Sequence, residues 1–284
     1  MTRFSYYPGC SLAGSAREYD HSIRETAAAL DIELEELPDW NCCGASSAHM
    51  TDRRLAIDLS ARNLELAEEA GMDVLVPCAA CFQRLRKADL VLRQDPGQWS
   101  RGEKYDPDFE IIHMTTLLSG SEMLDRMRGL VVRKLSGLKL ACYYGCLSLR
   151  PPLVTGAVEY EHPDGLDRIS RALGAEAVNW SHKTECCGGS LTMARPDIVR
   201  GLVGDIVSAA RRAGAQALVT DCPMCHSNLE SRQAAWKTED GTDAVMPVFF
   251  GTELINLALA DRSDEKRWKK HLLDPRPVLA RMER

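Results

Sequence analysis

Cysteines are the residues of this 284-residue chain whose type and spacing could do chemistry, and there are eleven of them. Ten fall into two sets of five, each made of a single cysteine, an adjacent pair followed by glycine, and a CxxC. The first set is Cys10, Cys42, Cys43, Cys78 and Cys81, and the second is Cys146, Cys186, Cys187, Cys222 and Cys225. Thiolates are soft ligands that suit zinc and iron–sulfur clusters. The pattern therefore predicts one thiolate-ligated metal centre for each set.

The two sets indicate an internal duplication. The last four cysteines of the first set recur 144 positions later, and 34 residues separate each adjacent pair from its CxxC. The residues that separate the single cysteine from the pair number 31 in the first set and 39 in the second, which one longer loop explains. The flanks repeat too, as YYPGCSL at 6–12 and YYGCLS at 143–148. We therefore predict two similar domains, residues 1–137 and 138–284, the second carrying a docking tail.

Three other uses of the cysteines have to be weighed. Disulfides are disfavoured because the cysteine count is odd and because a cytoplasmic protein, which we expect here, keeps its thiols reduced. Inert buried thiols would not repeat at fixed spacing in both halves. Structural zinc is the serious alternative, because CxxC is a common half of a tetrahedral zinc site.

Iron–sulfur clusters suit the pattern better than zinc. Each half offers five thiolates where a zinc ion takes four, and two of the five are neighbours that cannot easily bind one small ion. A cluster presents several metal atoms, so adjacent thiolates can reach different irons. The glycine after each pair would let the backbone approach such a cluster closely. The usual cubane run CxxCxxCxxxCP is absent, as is the plant-ferredoxin spacing. Zinc in one half and iron in the other remains an alternative.

The elements that must position the cysteines alternate between strands and helices. Short β-prone runs at 3–7, 74–76, 138–144 and 217–220 each lead into a cysteine, and amphipathic helices fill 14–30, 52–70, 164–173 and 196–213. This order predicts an α/β fold with two pseudo-symmetric Rossmann-like halves, each a small parallel sheet flanked by helices. Ligands of such folds bind beyond the carboxyl ends of the strands, where Cys10, Cys78, Cys146 and Cys222 fall.

Composition and charge exclude several classes of protein. The formal charge of −6 and a pI near 5.7 disfavour nucleic-acid binding. No run of 18 apolar residues suggests a transmembrane segment, and the first residues lack the apolar run of a signal peptide. We therefore expect a cytoplasmic protein. The charged stretch 261–284 carries Trp268, Leu272, Leu273, Val278 and Leu279, which predicts a tail that docks on its own body in preference to a partner.

The two sets together have the pattern of the cysteine-rich CCG domain, present twice, and the whole chain resembles the HdrB family of heterodisulfide reductases. The motifs that carry the resemblance are YYPGCSL, NCCG at 41–44, YYGCLSLRP at 143–151, ECCGG at 185–189 and HLLDP at 271–275. The resemblance implies two non-cubane [4Fe–4S] clusters, each bound through one five-cysteine set. Cys142 lies outside this pattern, at a position where the HdrB chains of methanogens commonly have histidine.

The resemblance also implies disulfide/thiol redox chemistry, with each cluster delivering one electron to a two-electron bond. An Ala- and Arg-rich composition favours the bacterial sulfur-oxidising complexes, whose substrate is expected on a lipoate-binding protein, over reduction of the coenzyme M/coenzyme B heterodisulfide. No flavin, nucleotide or cubane-cluster motif is present, so electrons must pass through partners. The family implies two partner subunits, one ferredoxin-like and the other flavin-bearing.

Four further residues are weaker catalytic candidates. His113 and His226 could donate protons near a cluster, although a lone histidine is more often structural. Arg150 follows Cys146 closely and could bind an anionic substrate group, whereas Lys183 is by default a surface charge. Cys142 could alter the site or be a small buried residue on a strand.

The rival hypothesis is a non-catalytic protein of such a complex, either for electron transfer or stabilised by zinc. CCG domains also occur in subunits of lactate- and glycolate-oxidising systems, but those chains usually carry their own ferredoxin-like motif, which this sequence lacks.

Overall fold

The computed structural model describes residues 2–45, 47–95, 105, 107–240, 245–260 and 265–282. It contains two four-stranded parallel sheets flanked by helices, one in each half of the chain, as the sequence predicted. In chain order the strands are β1 (Thr2–Tyr6), β2 (Ile32–Glu36), β3 (Val74–Val76), β4 (Ile111–His113), β5 (Lys139–Cys142), β6 (Glu176–Ala177), β7 (Ala217–Thr220) and β8 (Val248–Phe250).

The helices lie between the strands. In chain order they are α1 (Gly9–Ala13), α2 (Arg17–Ala29), α3 (Ala48–Thr51), α4 (Arg53–Ala70), α5 (Ala79–Gln94), α6 (Met114–Leu118), α7 (Ser121–Leu130), α8 (Pro152–Thr155), α9 (Gly165–Ala172), α10 (Pro196–Arg212), α11 (Pro223–Asp240), α12 (Gly251–Ala260), α13 (Glu265–Trp268) and α14 (Arg276–Leu279). Among the described residues, none of these helices is both long and apolar enough to cross a bilayer.

The two sheets have the same topology. The strand order is β2-β1-β3-β4 in the first sheet and β6-β5-β7-β8 in the second. Every strand pair is parallel, so the ends of β1 and β3 that lead to cysteines meet at one edge, as do those of β5 and β7. The equal order is what a duplicated unit produces.

Local sequence signals account for the long helix α4. Asp52 caps its first turn, because its carboxylate accepts hydrogen bonds from the backbone N–H groups of Arg54 and Leu55 at 2.7 and 3.0 Å. Gly71 ends the helix in the left-handed conformation with φ of 63°. The helix thereby leaves the chain directed into the short buried strand β3.

The halves pack through equivalent elements. Helix α2 of the first half contacts α12 of the second, and their counterparts α9 and α6 contact each other. Buried hydroxyls of Ser22 and Thr252 lie 2.6 Å apart at the first of these contacts. Tyr19 stacks on Phe250 across the same contact, with ring centroids 3.9 Å apart. Such reciprocal contacts define a pseudo-twofold relation between the halves.

The described part of the tail packs on the body of the chain. Trp268 is buried with its ring edge-on to Phe249, at a centroid distance of 5.7 Å. Arg267 forms an ion pair with Glu25 of α2. The tail therefore connects the second half to a helix of the first.

Candidate metal centre

The fold brings each five-cysteine set together at one edge of its sheet. Cys78 and Cys222 come two residues after the ends of β3 and β7, and Cys10 and Cys146 come four residues after the ends of β1 and β5. Because β1 pairs with β3 and β5 pairs with β7, the paired ends deliver their cysteines to the same place. The adjacent pairs lie in the loops that precede α4 and α10.

The first set divides into an outer pair and an inner group. The Sγ atoms of Cys10 and Cys42 lie 3.6 Å apart, and both residues are exposed. The Sγ atoms of Cys43 and Cys81 lie 3.4 Å apart, and these two residues are buried together with Cys78. One side of the set is thus open to solvent while the other is enclosed by protein.

The second set repeats this arrangement. The Sγ atoms of Cys146 and Cys186 lie 3.8 Å apart on the outer side. Those of Cys187 and Cys225 lie 3.6 Å apart on the inner side, where Cys222 is also buried. All eleven cysteines fall within the described ranges and are free thiols.

Neighbouring cysteines face different partners, which bears on what the sets could hold. Cys42 approaches Cys10 and Cys43 approaches Cys81, although the thiols of Cys42 and Cys43 also hydrogen-bond to each other. Cys186 approaches Cys146, whereas Cys187 approaches Cys225. A single tetrahedral ion needs four ligands converging on one point. Divergent neighbours instead suit a centre with several metal atoms, so the donor sets fit an iron–sulfur cluster better than zinc.

Two glycines that the sequence analysis overlooked make the close approach to sulfur. Gly9 and Gly145 have φ of 72° and 65°, and a Cβ at these positions would lie 2.8 Å from Cys81 Sγ and 3.1 Å from Cys225 Sγ. The repeated Gly-Cys dipeptide was the available signal. These glycines let a thiolate lie directly against the backbone.

The glycines after the cysteine pairs have a different role from the one expected. At Gly44 an added Cβ would meet Ala48 and Leu59 at 2.7 and 2.9 Å, and at Gly188 it would meet Leu202 and Val199. The added Cβ would therefore meet side chains of α3, α4 and α10, and the positive φ of Gly44 and Gly188, 70° and 76°, also favours glycine. The N–H groups of Gly44 and Gly188 nonetheless donate to Cys42 and Cys186 Sγ, at 3.5 and 3.3 Å.

Two tyrosines lie beside the cysteines and were also missed. The hydroxyls of Tyr7 and Tyr143 donate to the backbone carbonyls of Asn41 and Glu185 at 2.7 and 2.6 Å, next to each cysteine pair. Burial, together with nearby thiolates, raises the pKa of both phenols, so they stay protonated. A tyrosine three residues before the first cysteine of each set was the signal in the sequence.

The two sets meet at Cys78 and Cys222, which occupy the same position in their halves. Hydrogen bonding by the thiols of Cys222 and Cys81 lowers the pKa of Cys78. A hydrogen bond with Cys225 lowers the pKa of Cys222, but Cys78 and burial oppose this and raise it to about 12. The two candidate centres therefore lie near each other across the pseudo-twofold axis.

Local hydrogen bonds favour thiolates at two other positions. Thiol hydrogen bonds from Cys42 and Cys81 lower the pKa of Cys43 to about 4, and Arg84 contributes in the same direction. A hydrogen bond from Cys146 lowers the pKa of Cys186 to about 6. Thiolates are the form that binds metal.

Cys142 is placed apart from the second set. It is fully buried on β5, and its Sγ lies 3.5 Å from the hydroxyl of Ser170 on α9. Burial raises its pKa well above that of a free thiol. These are the surroundings of a small core residue.

Arg150 and Lys183 both bond to neighbouring protein groups. Arg150 is exposed and donates to the Thr184 hydroxyl at 3.2 Å, two residues before Cys186. Lys183, expected to be a surface charge, is half-buried and pairs at 2.6 Å with Asp167, which is 1% exposed. Because the Asp167 carboxylate is buried, Lys183 is a structural cation that neutralises it.

His226 lies where the first half has Phe82, and His113 lies where the second half has Phe250. Phe82 and His113 contact at a centroid distance of 5.4 Å, and the equivalent pair, His226 and Phe250, stack at 4.1 Å. Burial lowers the pKa of His113 to about 4 and also lowers that of His226. His226 Nε2 lies 2.9 Å from the Val248 carbonyl oxygen and so donates to it.

A separate group of potential metal ligands lies under the tail. Ligand atoms of His226, Glu253 and His271 are all within 4.8 Å of one another. His271 bonds to Glu230 and to Glu253, both at 3.0 Å. The electrostatic attraction and hydrogen bonds of these two carboxylates outweigh burial and raise the pKa of His271 to about 10. The group is therefore an ion-pair network, in which the protonated imidazole of His271 lies between two carboxylates.

Comparison with known proteins agrees with this geometry. The family model for the cysteine-rich domain, CCG, matches residues 4–86 and again residues 140–230. The "8-methylmenaquinol:fumarate reductase membrane anchor subunit" of Wolinella succinogenes is 30% identical over 277 residues, covering 95% of this chain and 97% of the relative. The B-type subunit of the ferredoxin/F(420)H(2)-dependent CoB-CoM heterodisulfide reductase of Methanosarcina acetivorans is 26% identical over 276 residues, with 93% and 92% covered.

Two further matches concern the archaeal relatives and the fold. A protein of Archaeoglobus profundus, described as similar to the B-type subunit of heterodisulfide reductase, is 26% identical over 272 residues, covering 91% of each chain. A crystal structure of a hypothetical protein from Helicobacter pylori superposes with a TM-score of 0.72 at 11% identity. The match covers 95% of this chain but only 52% of that one, and it supports the fold alone.

Proposed function

Because this chain belongs to the family of the cysteine-rich CCG domain, which it carries twice, we propose that it is the redox subunit of a heterodisulfide-reductase-like complex. Each five-cysteine set holds a non-cubane [4Fe–4S] cluster in this proposal. The observation that carries it is that Cys78 and Cys222 lie close enough to shift each other's pKa. At the same contact the Tyr19 hydroxyl of the first half donates to the Asp221 carbonyl oxygen, next to Cys222, at 3.1 Å, so two equivalent candidate centres lie near each other. Two adjacent one-electron centres are what a two-electron disulfide/thiol couple requires.

When bound, each cluster would supply or accept one electron. The protein's own contribution is to hold ten thiolates in two sets related by the pseudo-twofold axis and to shield the inner ones from solvent. Tyr7 and Tyr143 fix the loops of the cysteine pairs through their hydroxyls. Gly9 and Gly145 provide room for the innermost sulfurs. Preorganisation of this kind limits the rearrangement that accompanies electron transfer.

The substrate enters, in this proposal, from the side of the outer cysteines. Cys10, Cys42 and Cys186 are exposed, whereas all of the inner cysteines are buried. The substrate class is a disulfide or thiol. We favour a lipoyl-linked sulfur species over the coenzyme M/coenzyme B heterodisulfide on the composition of the chain, and we propose a lipoate-binding protein as its carrier.

Electron-transfer partners complete the proposed complex. Relatives are described as subunits of heterodisulfide reductases, some dependent on ferredoxin. The partners we propose are two further subunits, one ferredoxin-like and the other flavin-bearing. The non-catalytic alternative, a protein stabilised by zinc in one or both halves, predicts a different metal content.

A second function is favoured by the relative from Wolinella succinogenes, which this chain matches over 95% of its length. That protein is described as part of an 8-methylmenaquinol:fumarate reductase. Here the two centres would pass electrons between a quinol and another subunit, with no disulfide involved. The cysteine geometry serves both functions, so the substrate has to separate them.

The experiment that tests the proposal has two steps on anaerobically purified full-length protein. Metal and acid-labile sulfide are measured first, and about eight irons and eight sulfides per chain are expected for two [4Fe–4S] clusters. Stoichiometric zinc without iron would contradict the redox function. Reoxidation of the reduced protein is then followed by EPR with lipoamide disulfide, with the coenzyme M/coenzyme B heterodisulfide and with a menaquinone analogue. Reoxidation by the quinone alone would support the second function.

A further inference from the structure

The duplicated halves differ in charge next to their cysteine pairs. Arg84 lies one turn after the first CxxC, and the residue 144 positions later is Asn228. His49 lies six residues after Cys43, and its equivalent is Met193. The cation of the first half is thus matched by a neutral amide, and its histidine by a methionine.

In the first half, Arg84 and His49 form one unit beside the cysteines. Arg84 Nη2 lies 3.2 Å from the Ala45 carbonyl oxygen and 3.1 Å from His49 Nδ1. His49 therefore accepts from the guanidinium with its Nδ1 lone pair. His49 is exposed, and the small desolvation of its ring together with the Arg84 charge lowers its pKa, which keeps the ring neutral.

Arg84 has the thiolates as its electrostatic partner. The side chain is half-buried, its hydrogen bonds go to Ala45 and His49, and it forms no ion pair with a described carboxylate. Burial lowers the pKa of Arg84 and the charge of Cys43 opposes that shift, while Arg84 in return contributes to lowering the pKa of Cys43. A half-buried cation without a carboxylate needs a negative neighbour, and the first cysteine set provides it.

The second half fills the same place with neutral hydrogen bonds. Asn228 Nδ2 donates to the Cys187 carbonyl oxygen at 2.6 Å, and the Thr192 hydroxyl donates to Asn228 Oδ1 at 2.7 Å. Met193 is 93% exposed. Arg150, near Cys186, is also exposed, so solvent and salt screen its charge.

We propose that Arg84, oriented by His49, makes the N-terminal centre easier to reduce than the C-terminal one. This inference rests on the proposed function, in which both sets hold a cluster. Adding one electron to a centre adds one negative charge, and a cation held nearby in a half-buried site stabilises that charge. The first electron to enter the pair of centres consequently resides in the N-terminal half. Arg84 acts on the N-terminal centre through the cysteine set, so it is a positioning residue and not a catalytic one.

A redox titration monitored by EPR on the full chain tests this. In Arg84→Gln, the midpoint potential of one of the two signals falls, and the gap between the two signals narrows. Arg54→Gln is the matched control, because it removes the same charge from an exposed residue paired with Asp58 at 3.6 Å. Both potentials stay unchanged in the control. Arg84→Lys retains the positive charge, so its midpoint potentials should stay close to those of the wild type.

The reciprocal variant identifies the signals. Asn228→Arg combined with Met193→His places the charged unit in the second half, and it should raise the potential of the signal that Arg84→Gln leaves alone. Iron and sulfide are measured on the same samples. If Arg84→Gln retains the full iron content and neither potential moves, the inference about Arg84 is wrong and the proposed function stands. A wild-type protein without iron overturns both.

Discussion

Cys78 and Cys222 lie close enough for each thiol to shift the pKa of the other, although 144 positions separate them in the chain. They are equivalent residues of the two halves and are buried where the halves meet. A residue on a twofold axis meets its own counterpart, so this contact locates the pseudo-twofold axis of the duplication. It also places the two candidate centres near each other.

Replacement of Cys78 should damage both centres, whereas replacement of Cys142 should damage neither. In Cys78→Ser we expect at least half of the iron to be lost and the remaining EPR signal to be altered, because Cys222 loses its neighbour. Cys142→Ser is the control, because Cys142 is equally buried but contacts Ser170. It should keep its iron and lose about 1 kcal/mol of unfolding free energy. An iron loss in Cys142→Ser equal to that in Cys78→Ser would make Cys142 a ligand.

Alanine at Gly9 or Gly145 should prevent assembly of the centre in its own half. The added Cβ would lie 2.8 Å from Cys81 Sγ or 3.1 Å from Cys225 Sγ, and the sulfur would have to move. Iron content per chain should fall by about half in each variant. Gly214→Ala is the control, since φ there is 82° with nothing within 4 Å of the added Cβ. It should cost only the strain of the left-handed conformation, about 1 kcal/mol. Full iron content in Gly9→Ala would show that the sulfur tolerates the methyl group.

The ion-pair network under the tail should make stability depend on pH. The pKa of His271 is about 10 in the folded chain and about 6.5 when unfolded. The stabilisation from its charge is therefore complete below pH 6.5 and is lost as the pH rises through 10. Urea unfolding between pH 6 and 10 should show this loss in the wild type and not in His271→Gln. Leu272→Ala, at a neighbouring exposed position, should keep the wild-type pH dependence. An unchanged profile in His271→Gln would assign the dependence to other groups.

Loss of the Lys183 charge should destabilise the second half. Lys183→Met leaves the buried carboxylate of Asp167 with the Tyr144 hydroxyl and the more distant Arg171, and a cost of about 3 kcal/mol is expected. Arg168→Met is the control, because Arg168 follows Asp167 on α9 and both Arg168 and its ion-pair partner Asp164 are exposed. It should cost less than about 1 kcal/mol. Chemical unfolding of both variants measures the difference, and equal costs would mean that Asp167 does not depend on Lys183.

The fold class followed from the sequence because its signals are local. The residues that cap and end α4, the apolar run of β3 and the cysteine after it each act over a few neighbouring residues. The strands β4, β6 and β8 went unpredicted, since two or three residues are too few to show a period and, unlike β3, they lead into no cysteine motif. They form by pairing with β3, β5 and β7, which only the folded chain provides.

The sequence by itself determined the duplication, the two five-cysteine sets and the sheet edges to which they belong, because repeats and spacing are properties of a linear chain. Only the tertiary structure decided that Cys78 lies near Cys222 and that the backbone of Gly9 approaches the Cys81 sulfur closely. It also decided that Arg84 bonds to Ala45 and His49, whereas Asn228 bonds to Cys187. These relations depend on how distant segments pack and on where each side chain points. No local period or spacing encodes that packing, so it appears only when the two halves come together.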